Sequence, residues 1–128
     1  MSIKLQTIGI IAKDMSRTLH FYRTLGLPIP EGQDDETNLD YEASNGITLG
    51  FLSEAMASQA APQYKTPVGQ NMNLQFLVDS PAEVDAIYAK LLAAGYSGYA
   101  APWDAFWGQR FARVSDPDGR VVNIYAHL

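Results

Sequence analysis

The chain has 128 residues, 47% of them apolar, with a formal net charge of −5 and no cysteine. That length buries a core as one domain spanning 1–128, while the missing cysteine excludes disulfides and thiol chemistry and the acidic balance leaves no basic face for nucleic acid. No apolar run nears the roughly 20 residues of a membrane span, and Met1-Ser2-Ile3-Lys4 does not open a secretory signal, so the cytoplasm is the expected compartment.

Leu5 to Ala12 is β-branched and apolar and reads as a strand. Asp14 follows as an N-cap, Met15, Leu19 and Tyr22 recur at helical spacing, and Gly26 is a stop signal. Leu27 to Pro30 is extended, and the polar run Glu31 to Thr37 is a loop. Asn38 to Ala43 and Ile47 to Leu52 form a hairpin around Asn45-Gly46, which supplies positive φ.

From Ser53 to Gln70 the composition turns to Ala, Ser, Gln and Pro, the mark of a connector, with one helical turn at Glu54 to Ala60. Asn71 to Asp79 is a second strand. Ser80-Pro81-Ala82-Glu83 is a capping box with proline at the first helical position, ahead of a helix that ends at Gly95. Tyr96 to Ala101 is short and extended. The chain closes on a hairpin, Gly108 to Ser115 and Arg120 to Ala126, around Asp116-Pro117-Asp118-Gly119.

The order repeats. Strand, capped helix, glycine stop and three strands occur in 3–53 and again in 71–126, joined by a connector at 54–70. An α+β fold follows, with two tandem βαβββ modules forming a curved half-barrel around a central cleft, and such clefts are where ligands sit.

Three stretches carry a resemblance. Residues 12–26 (A-K-D-M-S-R-T-L-H-F-Y-R-T-L-G), 73–79 (N-L-Q-F-L-V-D) and 107–125 (W-G-Q-R-F-A-R-V-S-D-P-D-G-R-V-V-N-I-Y) resemble, in order, the first helix, fifth strand and last hairpin of the vicinal oxygen chelate superfamily. That superfamily holds glyoxalase I, the bleomycin and fosfomycin resistance proteins and the extradiol dioxygenases. The resemblance implies the paired βαβββ fold and a homodimer. In the family's enzymes it implies a divalent metal held by His, Glu, His and Glu on four strands. Those positions fall on Thr7, near Gly50, on Asn73 and on Asn123, none of which is a usual ligand for Zn, Ni, Fe or Mn. No metal cofactor is therefore expected, and Asn73 and Asn123 are candidates to hydrogen-bond a ligand instead.

No catalytic set stands out. Of the two histidines, His20 is mid-helix and His127 is the penultimate residue. Trp103, Phe106 and Trp107 crowd one loop-to-strand segment where the cleft wall belongs, and such side chains stack on planar ligands. The bleomycin resistance proteins, which sequester their drug without a metal of their own, carry a similar Pro-Trp-Gly-like segment. Arg110 and Tyr125 depend on the last turn. With Pro117 and Asp118 as the two turn residues, Arg110 pairs with Tyr125 and shares the face of Asn123; a bulge at Gly119 reverses this. The leading expectation is a metal-free protein that sequesters a planar or aromatic compound, such as an antibiotic. The alternatives are a glyoxalase-like lyase or isomerase, or a dioxygenase, using a divalent metal, and an accessory protein whose cleft its own side chains fill.

Overall fold

The computed structural model describes residues 2–128. Its elements run β1 (Thr7–Ala12), α1 (Met15–Leu25), β2 (Asn38–Glu42), β3 (Thr48–Ser53), α2 (Glu54–Ala60), β4 (Leu74–Leu77), α3 (Pro81–Ala93), β5 (Ser97–Ala105), β6 (Gln109–Ser115) and β7 (Val121–His127). They form two mixed sheets, β1-β3-β2 and β4-β7-β6-β5, in an open α+β fold. β1 runs parallel to β3 and β4 parallel to β7; the other pairs are antiparallel.

Chemistry at the helix ends fixes α1 and α3. The Asp14 carboxylate accepts from the Arg17 N–H at 3.1 Å, satisfying one of the first-turn donors that no backbone carbonyl can reach. At the other end Gly26 takes φ +134°, and the Gly26 and Leu27 N–H groups donate back to Arg23 and Tyr22, a Schellman closure. In α3 the Ser80 hydroxyl accepts from the Glu83 N–H at 3.3 Å, while the Glu83 carboxylate reaches back to the Asp79 N–H at 3.0 Å. Both helices press the same side of the sheets. Leu19, Phe21, Tyr22 and Leu25 of α1 join Val84 and Leu91 of α3, Phe51, and the Ala112, Val114, Val122, Ile124 and Ala126 side of the last hairpin in one core.

Leu27 to Pro30 stays outside the first sheet, which leaves that sheet three strands. Pro28 and Pro30 have no N–H to give a ladder. The carbonyls of Ile29 and Pro30 instead accept from the Arg23 guanidinium at 3.0 and 2.7 Å, and Ile29 drops into the core. β4 is shorter than Asn71 to Asp79. Its ladder partner β7 begins at Val121, and there the Gln70 side-chain amide takes both the N–H and the carbonyl, at 2.9 and 3.0 Å. β5 is longer than Tyr96 to Ala101. It continues through Pro102 to Ala105, and register shifts at Gly98/Ala100 and Ala100/Trp103 mark bulges that absorb the proline. Trp103 is therefore a strand residue, with Phe106 and Trp107 in the turn that follows.

The two halves are joined by a buried polar knot. Asp116, fully buried, accepts from the Tyr22 hydroxyl of α1 at 3.0 Å and from the Arg120 guanidinium, which also donates to the Ile11 carbonyl of β1 at 2.8 Å. Burial first, and then the Asp116 charge, push the Tyr22 hydroxyl far above the ordinary tyrosine range. The hydroxyl therefore keeps its proton and donates it to Asp116.

Candidate functional site

Each sheet has one face on the helices and one face open. The register sorts the side chains between them, because residues directly opposite in a ladder share a face. On β6 and β7, Ala112 faces Ile124 and Val114 faces Val122, all in the core. The intervening residues, Phe111, Arg113, Asn123 and Tyr125, therefore lie on the open face. The loop that sets this register is Pro117-Asp118-Gly119. Asp116 and Arg120 close it through the Asp116 N–H to Arg120 carbonyl bond at 2.8 Å, with Gly119 at φ +81°, a three-residue hairpin with a glycine bulge.

That bulge decides Arg110. It pairs with Ala126, not Tyr125, and sits on the helix side, where Asp85 of α3 and Asp104 of β5 hold it at 3.0 and 3.2 Å. Arg110 thus leaves the proposed ligand set, and Arg113, three positions on and invisible from residue type alone, takes its place on the open face.

The open face of the second sheet has two adjacent rows. Leu77, Tyr125, Phe111 and Trp103 stand side by side across β4, β7, β6 and β5. Trp107 packs edge-on against Trp103, Phe106 and Phe111, with ring centres 5.4, 5.0 and 5.4 Å away, and its indole N–H donates to Gln109 at 2.8 Å. Trp103 and Trp107 remain 43% and 45% exposed, so each keeps surface that a ligand can cover. The second row, two residues along β4, β7 and β6, is polar: Gln75, Asn123 and Arg113. Asn123 is only 2% exposed, and its side-chain oxygen has no hydrogen-bond partner. Gln75 is a site residue that sequence reasoning passes over. It lies directly across from Asn123 and donates to Asn73, just ahead of β4, at 3.1 Å. His127 is another: β7 runs far enough to place it on the open face, 6.0 Å from the Tyr125 ring.

The first sheet's open face is barer. Gly9 and Gly50 face each other across β1 and β3, and Thr7 begins β1. A side chain added at Gly50 would start 3.2 Å from the Asp40 carboxylate and 3.3 Å from the Thr7 methyl. A glycine pair inside a sheet lets a flat group approach the backbone closely. Between the edge strands β1 and β4, under the 64–72 segment, lies a cleft of about 930 Å³ whose walls include Gly9, Ile11, Asn73 and Val121.

A divalent metal can be tested against these donors. Thr7, Gly50, Asn73 and Asn123 bring one hydroxyl, one bare Cα and two amides. Among the described residues, no three His, Cys, Asp or Glu side chains come together. Asp40 is the nearest carboxylate to this set on the first sheet, and it has no imidazole beside it. The donors present do not fit a site for Zn, Ni, Fe or Mn.

A model of the glyoxalase/bleomycin resistance protein/dioxygenase superfamily matches residues 4–124. The uncharacterized protein YraH of Bacillus subtilis (strain 168) is 31% identical over 98% of this chain and all of its own length. Among solved structures, a glyoxalase/bleomycin resistance protein/dioxygenase family enzyme from Burkholderia phytofirmans PsJN superposes with a TM-score of 0.82 at 23% identity, covering 98% of this chain and 100% of its own. A glyoxalase-related enzyme from Fulvimarina pelagi does so with a TM-score of 0.82 at 21% identity, covering 97% and 88%. At such identities the structural likeness speaks for the fold. Among the described residues no helix is long and apolar enough to cross a membrane.

Proposed function

The chain belongs to the glyoxalase/bleomycin resistance protein/dioxygenase superfamily, and from that premise we propose that it is a binding protein that sequesters a planar or aromatic small molecule, such as an antibiotic, in the cytoplasm and without a metal. The observation that carries this reading is the pair of half-exposed rings, Trp103 and Trp107, backed by the buried Phe111 ring beside Tyr125. Each ring that stacks on a flat ligand adds about 0.5–1.5 kcal/mol beyond the area it buries. Asn73, Gln75 and Asn123 supply amides to orient the ligand, and Thr7 contributes a hydroxyl from the first sheet. The donor chemistry at the family's ligand positions supports binding without a metal.

We further propose that the working unit is a homodimer. Phe106, at 92% exposure in the turn that follows β5, is an apolar ring at the rim of the ligand surface that a second copy would cover.

Calorimetric titration with bleomycin and a panel of planar aromatic antibiotics tests the reading. Saturable binding at one ligand per cleft, unchanged by chelator and without turnover, is expected. Stoichiometric transition metal in the purified protein, with lyase, isomerase or dioxygenase activity lost on chelation, would replace it with the enzymatic reading.

A further inference from the structure

We infer that the molecule bound on the second sheet carries an anionic group, a carboxylate or a phosphate, attached to its flat apolar body, and that Arg113 receives it. The inference rests on the reading of that face as a binding surface and adds the ligand's charge and its layout.

The arginines of this chain are mostly spoken for. Arg23 pairs with Asp34, Arg110 with Asp85 and Asp104, and Arg120 with Asp116. Arg113 is half-buried on the open face, and among the described residues no carboxylate pairs with it. Its guanidinium lies over the Phe111 ring, 5.2 Å from the centre. That contact holds the charge in place and leaves the planar fork of N–H donors without an anion. Such a fork matches the two oxygens of a carboxylate or phosphate.

A second, independent feature stands beside it. Asn123 is directly opposite Arg113 in the β6–β7 ladder, one strand away. Its amide is almost wholly buried, with the oxygen unpartnered. A buried polar atom without a partner is costly. Turned end for end, the same amide presents two N–H donors, which an oxyanion seated between Asn123 and Arg113 would accept.

The rows set the ligand's shape. The apolar row of Leu77, Tyr125, Phe111 and Trp103 and the polar row of Gln75, Asn123 and Arg113 are two residues apart along β4, β7 and β6, or about 7 Å. A fused or substituted aromatic ring with an acidic group at its edge spans that distance. The carboxylates of the open faces that could prefer a cation, Asp40 and Glu42, are on β2 of the other sheet.

Quenching of Trp103 and Trp107 fluorescence by naphthoate, naphthyl phosphate, naphthamide and naphthylmethylammonium tests the inference on the intact protein. The two anions are expected to bind at least about tenfold more tightly than the amide or the ammonium, and whichever anion is preferred names the group. Arg113→Met should remove the preference, bringing the anions down to the level of the amide measured on the same variant. The ranking of the four compounds on the unaltered protein stands as a test even if that variant folds poorly. Equal binding of amide and anions would overturn the anionic assignment and leave the aromatic surface standing. Tightest binding of the ammonium would transfer charge recognition to Asp40 and Glu42, and an anion preference that survives Arg113→Met would remove Arg113; either result overturns the inference. Binding of none of the four would overturn the aromatic surface and this inference together.

Discussion

Tyr22 of the first helix donates to Asp116 of the last hairpin at 3.0 Å, across 94 residues of sequence. With Arg120 reaching on to the Ile11 carbonyl of β1, the pair links both halves of the chain at one buried carboxylate. Removing different members should therefore cost different amounts. Tyr22→Phe takes one neutral donor from an acceptor that keeps the Asp118 and Arg120 N–H groups, and should lower stability by about 1–2 kcal/mol. Arg120→Met leaves the buried carboxylate without its cation and should cost about 3–5 kcal/mol. Urea unfolding monitored by far-ultraviolet circular dichroism reads both. Equal losses would mean that Arg120 does not neutralise Asp116.

The Arg23–Asp34 pair gives an acid-side signature. Hydrogen bonding from Arg23 holds the Asp34 carboxyl below its ordinary value. A depressed carboxyl contributes stability above its unfolded value, near 3.9, and loses it as pH falls through the folded value. Both side chains touch solvent, so screening keeps the contribution small. The melting temperature of the unaltered protein should exceed that of Asp34→Asn at about pH 6 and converge with it by about pH 2. A gap that persisted in acid would assign the effect to something other than the Asp34 charge.

Which parts of this molecule are readable from sequence follows from where the information sits. The ends of α1 and α3 are written in side chains, Asp14, Ser80, Glu83 and the stop glycines, that act on their own neighbours. The sheet faces are not. Asp-Pro-Asp-Gly admits two registers, and the glycine bulge that selects one moves Arg110 to the helices and brings Arg113 to the open side. Pro102 reads as a strand end, yet β5 carries it in a bulge. Leu27 to Pro30 reads as extended, but the Ile29 N–H turns back onto the Leu27 carbonyl at 2.8 Å and two prolines deny the segment a ladder. Phe106 and Trp107 beside Trp103 are visible as a cluster in the sequence itself, because a tight turn brings near neighbours together. Gln75 and His127 gain their place only from strand pairing.

Gly98 is a packing requirement of the second half. A Cβ there would lie 2.1 Å from the Tyr88 hydroxyl and 2.9 Å from its ring, so α3 sits on β5 only because that strand position is bare. Gly98→Ala should destabilise by about 1–3 kcal/mol through forced displacement of Tyr88. The double variant Gly98→Ala/Tyr88→Leu should recover part of the loss in denaturant unfolding. Strict additivity of the two substitutions would show that the contact is not what the alanine disturbs.

The proposed dimer makes its own claim on Phe106, which is 92% exposed at the tip of the β5–β6 turn. Burying one such ring against a partner is worth about 1.5–3 kcal/mol, and a symmetric interface buries it twice. Phe106→Asp should therefore raise the dissociation constant about a hundredfold or more while leaving the monomer folded, as sedimentation velocity and circular dichroism would show together. A single-chain species for the unaltered protein at micromolar concentration would remove the dimer from the proposal.

The ring cluster can be separated from simple hydrophobic adhesion because its two tryptophans differ in surroundings. Trp103 stands within the strand beside Phe111, whereas Trp107 meets Trp103, Phe106 and Phe111 at once and anchors its indole N–H on Gln109. Trp107→Ala removes a stacking surface and also the edge that orients Trp103. Trp103→Ala removes one surface and leaves the remainder fixed. With stacking worth about 0.5–1.5 kcal/mol per ring beyond its area, Trp103→Ala should weaken binding of a planar aromatic ligand roughly tenfold once lost area is included, and Trp107→Ala should weaken it more. Trp107→Phe keeps a ring but loses the bond to Gln109, and should fall between Trp107→Ala and the unaltered protein. Isothermal titration with the tightest planar compound found for the unaltered protein measures all three. Indifference of binding to both alanine substitutions would take the ligand off this face of the sheet.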